Sequence, residues 1–153
     1  MMISKSLSKM KLIKSRSFFI ILLILSFLGF LDSTYLTILH YKNAFPPCSV
    51  TSGCEEVLTS PYSVLGPMPL ALYGSVFYLA VIVLSLILIT NYKKLYLNIL
   101  YPLVFVGFIV SVILFLIQAF ILHSFCQYCV ISEIIATALL ILAVLRIWEG
   151  KKN

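Results

Sequence analysis

The sequence predicts an all-α integral membrane protein: a bundle of four transmembrane helices, both termini on the cytoplasmic side, with a structured loop capping the other end. Three observations carry that prediction. The 153 residues are 62% hydrophobic and 10% charged, whereas soluble domains are roughly 45–50% apolar and about 25% charged. Four apolar runs reach the length a bilayer demands. The basic residues gather on one side of those runs. The length allows one domain, taken as 1–153.

A helix rising about 1.5 Å per residue needs about 20 apolar residues to cross a hydrocarbon core of about 30 Å. Residues 18–39 form the first such run, interrupted by Asp32; residues 70–90 form the second. The third, 97–122, has Gln118 as its most polar member, and the fourth, 130–148, carries Glu133 near its start. The third run is long, which predicts a tilt or a bend at Pro102. The first run has the basic flank of a signal peptide, but it is too long and no Ala-x-Ala type of cleavage site follows it. It is read as a helix.

Lys5, Lys9, Lys11, Lys14 and Arg16 precede the first run, Lys93 and Lys94 follow the second, and Arg146, Lys151 and Lys152 end the fourth. An even number of spans puts these ten on one side and leaves Lys42 alone on the other. The positive-inside rule then makes the ten-residue side cytoplasmic. The net charge of +6 therefore reads as anchoring and orientation. A nucleic-acid surface is excluded by the lack of any polar domain to carry it.

The outer side holds the 41–69 loop and the 123–128 turn, and all four cysteines lie there or at its edge. That is the compartment in which disulfides persist. Pro46-Pro47, Pro61 and Gly66-Pro67-Met68-Pro69 stop helix and fix turns. Between them residues 54–59 can form one helical turn, and Val57, Leu58, Val64 and Leu65 are apolar enough to rest on the membrane surface. His40 and His123 flank outer helix ends, and the tyrosines and Trp148 near helix ends read as interface anchors.

Cys126 and Cys129 form a Cys-x-x-Cys at the outer start of the fourth helix. Two cysteines three apart on a helix face the same way and can close a small disulfide ring. A helix N-terminus carries partial positive charge and free N–H groups, which favour the reactive thiolate. Cys48 and Cys54, with five residues between them, form a second pair in the outer loop. A loop pair can exchange with a soluble partner outside and with Cys126 below, through mixed disulfides. Three alternatives stand beside this relay: both pairs are structural disulfides, the four sulfurs hold zinc, or the cysteines are incidental. The five-residue gap fits a zinc knuckle poorly.

Cys48 and the run from Cys54 through Glu55, Glu56, Val57, Leu58, Thr59, Ser60 and Pro61 to Ser63, then Gly66, Pro69-Leu70 and Gly74, followed by Cys126-Gln127-Tyr128-Cys129, resemble the vitamin K epoxide reductase family. The likeness spans about residues 18–147 and looks closest to the prokaryotic branch. Its specific part is the order: the spaced pair first, the Cys-x-x-Cys last. The resemblance implies a quinone-dependent thiol–disulfide oxidoreductase of the plasma membrane, active on its outer face, with a quinone of the ubiquinone or menaquinone type as cofactor. It implies that Cys129 faces the quinone, that Cys54 attacks Cys126, and that Cys48 exchanges with a thioredoxin-like partner. Ser60 matches a family serine near the quinone head group. Many bacterial relatives carry a fused thioredoxin-like domain; none is seen here, so a separate partner is expected. Animal members have an asparagine where Leu70 stands and a tyrosine where Glu133 stands, which argues against vitamin K epoxide as the natural substrate. Quinone or quinone-epoxide reduction on the same fold is the alternative activity.

Two acids lie within the spans. Glu133 follows Cys129 by four residues and so shares its helix face. It reads either as a proton relay to the quinone or as polar packing. Asp32 reads either as a structural group bonded to Ser or Tyr hydroxyls across the bundle, the favoured reading, or as a functional one, because a charge in lipid turns inward.

Overall fold

The computed structural model describes residues 2–49 and 53–151, with side chains placed for 16–49 and 53–148. The side chains of Lys5, Lys9, Lys11, Lys14, Lys151 and Lys152 lie outside those described. In chain order come helix α1 (Met2–Tyr41), the short helix α2 (Cys54–Thr59), a 3-10 turn (Pro61–Ser63), strands β1 (Val64–Leu65) and β2 (Met68–Pro69), helix α3 (Leu70–Thr90), helix α4 (Lys94–Leu116), a π-helical turn (Ile117–Leu122) and helix α5 (Gln127–Lys151). Among the described residues four helical stretches are long and apolar enough to cross a membrane: Arg16–Tyr41, Leu70–Thr90, Lys94–Leu122 and Gln127–Trp148.

Lipid explains why these runs are helices. A bilayer core offers no water to backbone N–H and C=O groups, so a span must satisfy them within itself. It also explains why the outward faces are as apolar as the inward ones. Ile24, Val76, Phe105, Phe120 and Ile134 point out of the bundle, while Phe19, Leu22, Val81, Leu100 and Leu139 are buried within it. Helix α1 packs most closely on α3, and α4 on α5; α1 also meets α5. Small polar residues sit at the α1–α3 contact. Ser33 donates to the Gly29 carbonyl at 2.8 Å, and Ser75 donates to the Ser33 oxygen at 3.1 Å. Hydroxyls that bond back to their own helix and across to a neighbour join spans without stranding a polar group.

The third run is irregular, and the departure from α-geometry lies at 117–122; Pro102 stays within α4. The fourth helix begins at Gln127, three residues before the expected 130. The small β1–β2 hairpin is the exception to the all-helical reading among the described residues. Its two-residue loop starts at Gly66, with φ at 65°. That left-handed value is open to glycine without steric cost. Two residues past the end of α1 stands Asn43, also left-handed, with the Ala44 N–H bonded to the Leu39 carbonyl at 3.0 Å. The expected helical turn at 54–59 forms as α2.

Candidate active site

The site starts from the way α5 begins. Cys126 precedes its first residue and caps it. The Cys126 sulfur accepts the Cys129 N–H at 3.5 Å, where a serine or aspartate oxygen usually sits in such a cap. Cys126 is fully buried, and Cys129 is half-buried one turn further in. The Cys129 thiol bonded to the Cys126 sulfur pulls the Cys126 pKa down to about 7; burial opposes this, and the N–H groups of Cys129 and Tyr128 support it. Among the pair, Cys126 is thus the sulfur ready to be a thiolate.

The segment that carries Cys48 and Cys54 is fastened over this turn. Cys48 and Cys54 are bonded to each other as a disulfide, while Cys126 and Cys129 are free thiols. A β-carbon on Gly53 would stand 2.8 Å from the Ser124 β-carbon and 2.9 Å from the Phe125 nitrogen. Only glycine lets the loop come that close, and the approach seats Cys54 against Cys126. The two are buried in one cluster with Val57, and Cys48 and Cys129 pack on it. Ser124 bonds to the Glu56 carboxylate, and the Tyr128 hydroxyl donates to the Pro47 carbonyl at 3.4 Å. All four sequence-predicted cysteines therefore meet at one place.

Beneath them lies a cavity of about 420 Å³ between the helices. Cys129, Ser60, Glu133 and Asp32 line it, and so do Val76 and Val106, which also face the lipid. The cavity therefore opens sideways to the apolar phase. Ser60 is buried, and its hydroxyl donates to the Val57 carbonyl at 2.7 Å, so donating to a ligand requires it to exchange that bond. Asp32 does not find the hydroxyl partner expected of it. Its Oδ2 is buried without a hydrogen bond. The hydroxyls around it are engaged elsewhere: Ser33 and Ser75 with each other, and Tyr78 with the Ser132 carbonyl at 2.8 Å.

One residue at the site was not picked out as functional from the sequence. Gln118 is 3% exposed and stands in the π-helical turn. Its Nε2 donates to Glu133 Oε1 at 2.7 Å, and its Oε1 accepts the Cys126 N–H at 3.0 Å. Its own carbonyl accepts the Ser124 N–H at 3.2 Å. The one signal in the sequence was a lone amide inside a long apolar run.

A membrane bundle with paired cysteines over an apolar cavity is the architecture of a membrane redox protein. Residues 20–144 match the model of the vitamin K epoxide reductase family, and the chain belongs to that family. No individual curated protein matches it. Membership makes the chain a multi-pass membrane protein of an oxidoreductase family that works with quinones. The cavity fits such a group on its own terms. Its volume lies within the usual range for ligand pockets, about 300–1,000 Å³. It opens toward lipid, and two residues that line it, Asp32 and Glu133, each carry a buried carboxyl oxygen that lacks a protein partner.

Proposed function

We propose that this protein is a quinone-dependent thiol–disulfide oxidoreductase that draws electrons from a thioredoxin-like partner and so supports disulfide formation in exported proteins. The observation that carries the reading is the gathering of all four cysteines in one buried cluster with Cys129 on the cavity wall. A thiolate of the reduced partner attacks Cys48 and frees Cys54. Once the partner has resolved that bond, Cys54 attacks Cys126 of an inner Cys126–Cys129 disulfide, and Cys129 leaves. Cys48 then closes on Cys54 and releases Cys126. Cys48–Cys54 bonded, with Cys126 and Cys129 free, is the pairing this transfer leaves behind. A quinone, when bound, takes up two electrons and two protons as Cys126 and Cys129 close to a disulfide again. Ser60, Cys129 and Glu133 are the residues we assign to holding it.

The cysteine end faces the outside of the plasma membrane in this reading. Its support is the charge asymmetry: Arg16, Lys93, Lys94 and Arg146 all fall at the opposite ends of the spans. The test is quinone-dependent oxidation of a reduced thioredoxin-like protein by the purified chain, wild type beside Cys129→Ala. Oxidation by the wild type, lost in the variant, supports the relay. No oxidation across ubiquinone and menaquinone types with several partners leaves the cysteines as braces of the outer loop.

A further inference from the structure

We propose that Glu133 stores the proton given up by Cys126 and delivers it to the quinone, and that Gln118 is the positioning residue that aims it. The inference rests on the relay proposed above and assigns its proton path. Glu133 Oε1 is held by the Gln118 amide at 2.7 Å. The other oxygen, Oε2, is buried, has no hydrogen bond and belongs to a residue on the cavity wall beside Cys129. A carboxyl clamped at one oxygen and unbonded at the other, on a residue that lines a ligand cavity, is placed to exchange a proton there. The second end of the clamp is the Cys126 backbone, whose N–H bonds to the same Gln118 side chain at 3.0 Å. One amide thus ties the Cys126 backbone to the acid. The π-helical turn around Gln118 supports the assignment, since such turns recur at functional sites.

Proton balance calls for such a group. Two hydrogens must reach the quinone with the electron pair. When Cys126 is a thiolate, the dithiol supplies only the Cys129 proton. Protonated Glu133 supplies the other. Cys126 thiolate, Cys129 thiol, Glu133 acid and quinone then become the Cys126–Cys129 disulfide, Glu133 carboxylate and hydroquinone. The sulfur–sulfur bond forms, the quinone is reduced by two electrons, and the charge of −1 moves from Cys126 to Glu133. When Cys54 next reduces the inner disulfide, Glu133 is reloaded. The titratable groups around it are Cys126 and Cys129 at the start of its own helix, Tyr78 on α3 and Asp32 on α1.

The test uses the whole chain in two measurements. Infrared difference spectra of the dithiol form, without quinone, are expected to contain a protonated-carboxyl band that Glu133→Gln removes. Gln118→Met is expected to shift that band by removing its hydrogen bond. Single-turnover oxidation of the dithiol by a short-chain ubiquinone is expected to slow about 100-fold in Glu133→Gln, the scale of general acid catalysis. Thermal unfolding followed by circular dichroism checks that both variants fold. An unchanged band in Glu133→Gln, or a rate within twofold of wild type, overturns the proton role while leaving the relay standing. A slowed Gln118→Met with an unmoved band reduces Gln118 to packing. Failure of the wild type itself to react with quinone removes the relay and this inference together.

Discussion

The two halves of the bundle use the same kind of sequence to opposite ends. Toward the basic end, Phe19, Leu22, Leu88, Leu97, Leu100 and Ala143 close a solid apolar core, edged by Arg146 over the Phe18 ring at 5.8 Å. Toward the cysteine end the helices part around the cavity, and the inward positions become Asp32, Gln118, Cys129 and Glu133. Among the described residues the basic half has dispersion contacts at its centre and no acid, histidine or cysteine there. The cysteine half gives up packing for groups that exchange protons and electrons. Because lipid is as apolar as the core, helix association gains little from hydrophobic burial. The packed half therefore has to stabilise the bundle largely by close fit, so that the other half can stay open.

That division is open to attack. The largest effect is expected from Cys129→Ala, which should reduce quinone-dependent partner oxidation to background while shifting thermal stability little. A large loss of stability would mean that the open half also holds the fold together. Next comes Gly53→Val. Moving the loop off Ser124 and Phe125 should slow Cys54–Cys126 exchange about 100-fold, as misplacement by about 1 Å can do. Quinone reduction by a chemically prepared inner dithiol should be spared. Equal slowing of both steps would show that the loop and the cavity are one unit.

In the packed half, Leu139→Ala should lower stability by about 2–4 kcal/mol through the void it leaves. Turnover per folded molecule should stay within about twofold, which a denaturation series paired with kinetics would check. The smallest test concerns pH. Cys126 lies below the ordinary thiol value, at about 7, so its thiolate is fully present above that pH and falls about tenfold per unit below it. Thiolate absorbance, taken as the difference from Cys126→Ser, should inflect near 7. In Cys129→Ala, which lacks the donating thiol, the inflection should move up. An inflection that stays put would assign the effect to the α5 N-terminus alone.

What the amino-acid sequence determined is what single residues and their neighbours can specify. Span length and placement follow from the hydropathy of each run. The family resemblance and the cysteine spacing are likewise local: Cys48, Cys54, Cys126 and Cys129 are legible as two pairs without any contact being known. The turn at Gly66 and the helical turn at 54–59 belong to this class too. The tertiary structure alone decided which faces turn inward. An apolar span looks the same on its lipid side and its core side, so no periodicity marks Gln118 as a partner of Glu133 or leaves Asp32 unpaired. The seating of Cys54 on Cys126 depends on a glycine meeting a backbone 71 residues away in the chain (Gly53 to Ser124). Contacts of that kind are properties of pairs of elements, and they exist only once the helices have packed.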